Sequence, residues 1–169
     1  MIISNLDKKL VKKVSIILDK FNHPNKVKEL DSTARSAIDA AKSLNVPVGS
    51  IVKTLIFIVK SEDKNTPIVT LVAGDKKCNI GLIPGILNLK GVTVRPDAKT
   101  VKNITGYSIG GVSPLGLPDK LNIVIDTSLK RFDKVWSAAG HTHCVFGASY
   151  SELVNMTGAE ESDQIAINL

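Results

Sequence analysis

The sequence predicts a single α/β domain of the α+β kind, and three observations carry that expectation. A chain of 169 residues can bury one substantial core, and with one Trp, two Tyr and four Phe against 43% apolar residues the core must be aliphatic. Residues 5–21 place Leu6, Leu10, Val14, Ile17 and Phe21 on one helical face. Ser50–Val59 is a continuous β-branched apolar run, the pattern of a central strand buried on both faces.

The elements follow in chain order. Asn5 is the expected N-cap of the first helix, and Asn22–Asn25 breaks it with His23 as an ordinary exposed residue. Lys26–Leu30 alternates like a short strand. Asp31-Ser-Thr should cap a second helix to Leu44 that presents Ala34, Ala37, Ile38, Ala41 and Leu44. After the central run, residues 61–66 form a polar hairpin connection to a strand at Pro67–Ala73, and Gly74–Lys77 is a polar turn. Gly81, Pro84 and Gly85 allow only a short, irregular helix over 79–90. Val92–Arg95 is a short strand, and Pro96 opens a helix ending near Thr105-Gly106. Leu121–Asp126 is an apolar strand and 128–133 a polar turn. Strands at 134–138 and 143–146 form a hairpin, Tyr150–Met156 a last helix, and 157–169 a tail with one edge strand at Ile165–Leu169.

The formal net charge is +6, and lysines outnumber acids across the first 30 residues while the C-terminal stretch is acidic. That balance suits a Lys-rich solvated surface first and a polyanion such as RNA second. The two cysteines, Cys78 and Cys144, make neither a disulfide framework nor a CxxC motif, and reduced thiols in the cytoplasm are expected. The opening residues lack an apolar signal core, and no run is long enough to span a bilayer.

One stretch organises the rest. Tyr107–Gly116 holds three glycines and one proline but no charge. Gly110-Gly111 permits positive φ and close approach, and Pro114 removes a donor, so the loop either presents its backbone to a ligand or simply turns under other elements. Lys53, followed by Thr54, must snorkel or meet a partner at the start of the central strand, where a cation is well placed for an anion. Asp126, at a strand end, more commonly caps the next turn than performs chemistry. His141 and His143 share one strand face, but a third metal ligand is lacking because Cys144 points to the other side, so no metal is expected.

Three blocks in this order resemble the YbaK and prolyl-tRNA synthetase-associated (ProX-like) family of aminoacyl-tRNA editing domains. They are Ser32–Leu44 with Val48–Phe57, Thr105–Pro114 with its Gly110-to-Pro114 loop, and Val124–Asp126 with Ala139–His141, within a match over about residues 25–160. The resemblance implies a mixed, largely antiparallel sheet curled into a partial barrel and flanked by helices. It implies hydrolysis of the ester joining a small mischarged amino acid such as Ala, Cys or Ser to tRNA for proline. The rival reading is a non-catalytic tRNA- or synthetase-binding module of the same fold. Implied as catalytic are Lys53, Gly110, Gly111, Pro114 and His141; implied in substrate contact are Thr54, Tyr107, Ser113, Asp126 and His143. His141 is favoured over His143 for the histidine role. Ser113 as a nucleophile lacks a nucleophile elbow, and Cys144 beside His143 lies on opposite strand faces. No cofactor is implied. The implied partners are the acceptor end of aminoacylated tRNA and prolyl-tRNA synthetase, with neither membrane nor DNA.

Overall fold

The computed structural model describes residues 3–169. Its elements are α1 (Lys9–Lys20), β1 (Lys28–Glu29), α2 (Ala37–Leu44), β2 (Val52–Lys60), β3 (Asn65–Ala73), β4 (Lys76–Cys78), α3 (Ile83–Ile86), β5 (Val92–Val94), α4 (Ala98–Thr105), β6 (Asn122–Asp126), β7 (Val135–His141), β8 (Cys144–Ala148), α5 (Tyr150–Thr157), β9 (Glu160–Ser162) and β10 (Ala166–Asn168). The main sheet runs β5-β2-β3-β6-β9, a second runs β1-β8-β7, and β10 pairs with β4. β2 and β3 pair antiparallel from Val52–Ala73 to Lys60–Asn65, whereas β6 joins β3 and β9 in parallel. The sheets are therefore mixed and largely antiparallel, but they stay open, since β5 and β9 remain separate edges of the main sheet.

β2 is central and apolar on both faces, as its sequence demands. Val52 and Ile56 join the large cluster built from α1, Tyr107, β7 and β8, while Phe57 and Val59 pack with Ile68, Ile83, Val124 and Ile165. Its pairing has a gap. A parallel bridge ties Ile51 to Trp136, and β5 pairs only with Ile58–Lys60. Between them, Val52–Phe57 pair with β3 alone. The main sheet thus has a slot along one edge of its central strand.

Several local expectations are corrected by tertiary contacts. Asn5 does not cap α1: its side chain donates to Glu29 (2.7 Å), and Ser4 caps a 3-10 turn ahead of the helix. α1 buries Val11, Val14 and Leu18, and leaves Leu6 and Phe21 exposed. α2 starts at Ser36, whose hydroxyl accepts from the Asp39 amide, not at Asp31. The reason lies in the hairpin: Leu30 and Ala34 donate their amides to the carbonyls of His143 and Thr142, which ties 30–34 to the hairpin and keeps it out of the helix. α2 buries Ala40 and Ala41, with Ile38 exposed. Asp97, rather than Pro96, caps α4. Lys76 begins β4 instead of ending a turn, and the tail contributes β9 as well as β10, because each finds a partner far away in sequence. The hairpin strands are longer than expected, closing at Thr142-His143. His23 is buried, its ring nitrogens 2.8 Å from the Gly147 carbonyl and 2.8 Å from a Glu152 carboxylate oxygen. No described helix is long and apolar enough to cross a membrane.

Candidate functional site

The slot along β2 opens into a cavity of about 480 Å³. Its walls are the first half of β2, the segment 34–37 leading into α2, Arg95-Pro96 after β5, the loop at Ile109–Val112, and the β7–β8 hairpin. Its volume is that of a small-molecule pocket. Much of the lining is aliphatic, with Ile56, Val101, Val112, Ala138 and Val145 among it, while Arg35, Lys53, Arg95 and His141 are its charged or titratable nitrogen groups. No Asp or Glu lines it.

Lys53 sits near the start of β2, half-buried, and its ammonium donates to the Lys76 carbonyl. Burial holds its pKa below the ordinary lysine value, and the nearby charge of Asp75 opposes that shift. Thr54 also lines the cavity, and its hydroxyl oxygen is buried with no partner among the described residues. A buried hydroxyl without a partner is costly, so a bound group that satisfies it gains affinity. Arg95 crosses the Phe57 ring at 5.5 Å, which fixes its guanidinium beside the slot.

The glycine loop reaches the cavity through Gly110, whose φ of +92° favours glycine. Gly111 sits behind it and packs directly on the hairpin. Its carbonyl accepts from the Gly140 amide (3.1 Å), and a Cβ there would come within 2.9 Å of the His141 nitrogen. Gly111 therefore sets the distance between loop and hairpin. His141 faces the cavity, and its Nδ1 accepts from the His143 amide at 3.2 Å. That bond leaves Nε2 as the protonated nitrogen of the neutral ring. Burial, then the charges of Lys8 and His143, depress its pKa, with Glu29 opposing, so the site favours the neutral ring. The two histidine rings stack with centroids 5.4 Å apart.

Lys53, Thr54, Gly110 and His141 are thus brought to one cavity. Gly111 and Pro114 are buried behind its wall, and His143 stands beside His141 without lining it. The remaining three expected residues lie in the interior. Tyr107 is fully buried and donates to the Leu115 carbonyl (2.6 Å), burial pushing its phenol up to about 12. Ser113 is fully buried and accepts from the Leu115 amide (3.2 Å), so its hydroxyl staples the loop to itself. Cys144 reaches the cavity wall, but burial pushes its thiol up to about 11, which leaves almost no thiolate for nucleophilic attack.

Asp126 ends β6 with its carboxylate accepting from the Ala73 amide (3.1 Å) and from the amide and hydroxyl of Ser128 (both 2.8 Å). It caps the 3-10 turn at Thr127–Arg131 and ties β3 to that turn. Asp126→Ala should destabilise the fold by about 2–4 kcal/mol, since it strands a buried amide and removes a cap. Urea unfolding would show the midpoint fall; an unchanged midpoint would contradict a structural role.

Sequence reasoning missed Arg35, Arg95, Trp136 and Thr142 in the wall. The single Trp of the chain and the arginine directly before Pro96 were the available signals. Nothing local places either beside Lys53.

Comparison with known proteins identifies the family. The aminoacyl-tRNA editing domain model matches residues 31–156. The protein YwhH of Bacillus subtilis (strain 168) is 29% identical over 143 residues, 85% of this chain and 88% of that protein. A proline–tRNA ligase of Lactobacillus helveticus (strain DPC 4571) is 32% identical over 127 residues, but these span only 22% of the ligase. A crystal structure of a proposed trans-editing enzyme for prolyl tRNA synthetase superposes with a TM-score of 0.81 at 30% identity, covering 92% of this chain and 96% of that one. With the family model matching most of its length and the fold matching throughout, the chain belongs to the aminoacyl-tRNA editing domain family.

Proposed function

We propose that the protein hydrolyses the ester linking a small mischarged amino acid, such as Ala, Cys or Ser, to tRNA for proline, acting on the tRNA after the synthetase has released it. The observation that carries this reading is the cavity wall: Arg35, Lys53, Arg95 and His141 surround an aliphatic space with no carboxylate in its lining. Such a wall suits an anionic ribose-phosphate end that delivers a small apolar side chain.

The chemistry needs little from the protein beyond position and charge. The ester is already activated, and water adds to its carbonyl carbon. The tetrahedral oxyanion then collapses, the bond to the ribose oxygen breaks, and that oxygen leaves with a proton. The products are the free amino acid and uncharged tRNA. Lys53 binds the terminal phosphate or ribose, and the Gly110 backbone positions water or the ribose hydroxyl. The neutral His141 ring contributes an Nε2–H donor to substrate oxygen. Donors already in place stabilise an oxyanion without reorganising during the reaction. Thr54 offers its unpartnered hydroxyl to the substrate. A second pocket is needed because one missing methylene is worth only about 1–3 kcal/mol at a synthetase site.

The test is a panel of tRNAs for proline charged with Ala, Cys, Ser, Thr and Pro. Rapid release of one small residue, with the Pro ester spared, is the expected result. Tight tRNA binding with no hydrolysis of any member would replace the enzyme by a binding module.

A further inference from the structure

The face of α1 turned away from the core is not used by the cavity. Lys9, Lys12, Lys13 and Lys20 are exposed on it and flank a shallow groove floored by Ile16 and Ile17, with Asp7 as the acid at its edge. Asp7, in the turn ahead of α1, reaches Lys12 at 3.5 Å, an exposed pair; Asp19 is the one acid within α1 itself. Lys9, Lys13, Ile16 and Lys20 follow each other at helical spacing, so they form one straight stripe. From Lys9 to Lys20 it measures about 16 Å along the axis.

The helix that carries this stripe packs against elements that border the cavity. Gly140, next to the cavity residue His141, lies so close to α1 that a Cβ on it would come within 2.8 Å of the Leu10 carbonyl. The charge of Lys8, at the start of α1, reaches His141. Lys13 lies over the Tyr107 ring at 5.8 Å and its stem would meet a Cβ on Gly116 at 3.0 Å. Those two residues bound the loop whose middle, Ile109–Val112, lines the cavity. The helix that carries the stripe is thus anchored to the hairpin and the loop that border the cavity.

We propose that the lysine stripe of α1 is a docking surface for the duplex stem of the substrate tRNA, contacting its phosphates while the 3′ end occupies the cavity. The proposal rests on the deacylase reading for the identity of its RNA. A rigid row of cations fits a rigid phosphate backbone, and such contacts carry no base specificity. The exposed Ile16 lies among these lysines, whose aliphatic stems can share its apolar surface.

The decisive variant is Lys9→Ala/Lys12→Ala/Lys20→Ala, whose side chains line neither the cavity nor the glycine loop. Two substrates carry the same small amino acid: full-length tRNA for proline, and a short single-stranded 3′ oligonucleotide without a stem. The expected result is a rise of about tenfold or more in KM for the tRNA, with hydrolysis of the short substrate unchanged. The slope of log affinity against log salt should become shallower by about one unit for each phosphate no longer neutralised by a lysine. Lys→Arg at the same three positions should restore tRNA binding. Equal effects on both substrates, or none on the tRNA, would overturn the proposal. If the wild type hydrolysed neither substrate, the deacylase reading would fail, and anisotropy with uncharged tRNA would still decide the docking surface by the same salt slope. Loss of binding to prolyl-tRNA synthetase with tRNA affinity intact would assign the stripe to a protein instead and overturn the RNA surface.

Discussion

Lys53→Ala is expected to lower single-turnover deacylation by about 10²-fold, the effect of letting a substrate end held by one cation shift on the order of 1 Å in a positioned site. The side chain combines three properties that few surface lysines share. It lies on the central strand, it is half-buried, and it borders a cavity in which the other cations are Arg35 and Arg95. Partial burial raises the strength of its interaction with an anion, because little water competes there. The loss should appear both in weaker binding of the aminoacylated 3′ end and in a slower step for what is bound, because the contact that holds the terminal phosphate or ribose also fixes where the ester lies. Lys53→Arg should recover only part of the rate, since a planar fork cannot reproduce a point charge held by the Lys76 carbonyl. Thermal unfolding serves as the control, and a fully active, stable Lys53→Ala would remove Lys53 from the mechanism.

Gly111→Ala is expected to reduce deacylation by about 10²-fold without any change in polar groups. The added methyl would lie 2.9 Å from the His141 nitrogen, 3.0 Å from its Cα and 3.1 Å from the Gly140 carbonyl carbon. All three are backbone atoms, so no side chain can swing aside. The loop must move away from the hairpin, stretching the Gly140-to-Gly111 hydrogen bond and separating Gly110 from His141. A misplacement on the order of 1 Å in a positioned site can cost about 10²-fold in rate, and overpacking adds about 1–3 kcal/mol of instability. Gly85→Ala is the matched control, because nothing lies within 4 Å of a Cβ there. Equal activity of both variants would show that the loop-to-hairpin distance is not critical.

These residues differ in how legible they were. Lys53 stood out because a lysine interrupts a run that is otherwise β-branched and apolar. Gly110-Gly111 stood out because a glycine pair in an uncharged loop is unusual. Both signals are local. Tyr107 and Ser113 bring a phenol and a hydroxyl to the same loop, and spacing alone could not tell that they turn inward to Leu115. His23 looked exposed because its neighbours are turn residues, yet Gly147 and Glu152 enclose it from the far end of the chain. Arg35 and Arg95 carry no local sign of a site; they come beside the cavity only because β2 has no second neighbour between Ile51 and Ile58.

What the sequence by itself determined is the class of the fold, its central strand, and most strands and helices to within a few residues. Period, β-branching, caps and turn residues act over a few positions and are written there. What only the tertiary structure decided is where helices begin, which strands pair in the tail, and which side chains face the cavity. α2 starts late because Ala34 is bound to Thr142, and β4 exists because β10 returns to it. Such contacts join residues scores of positions apart, and a hydrogen bond or a packed face is specified only once both partners are present.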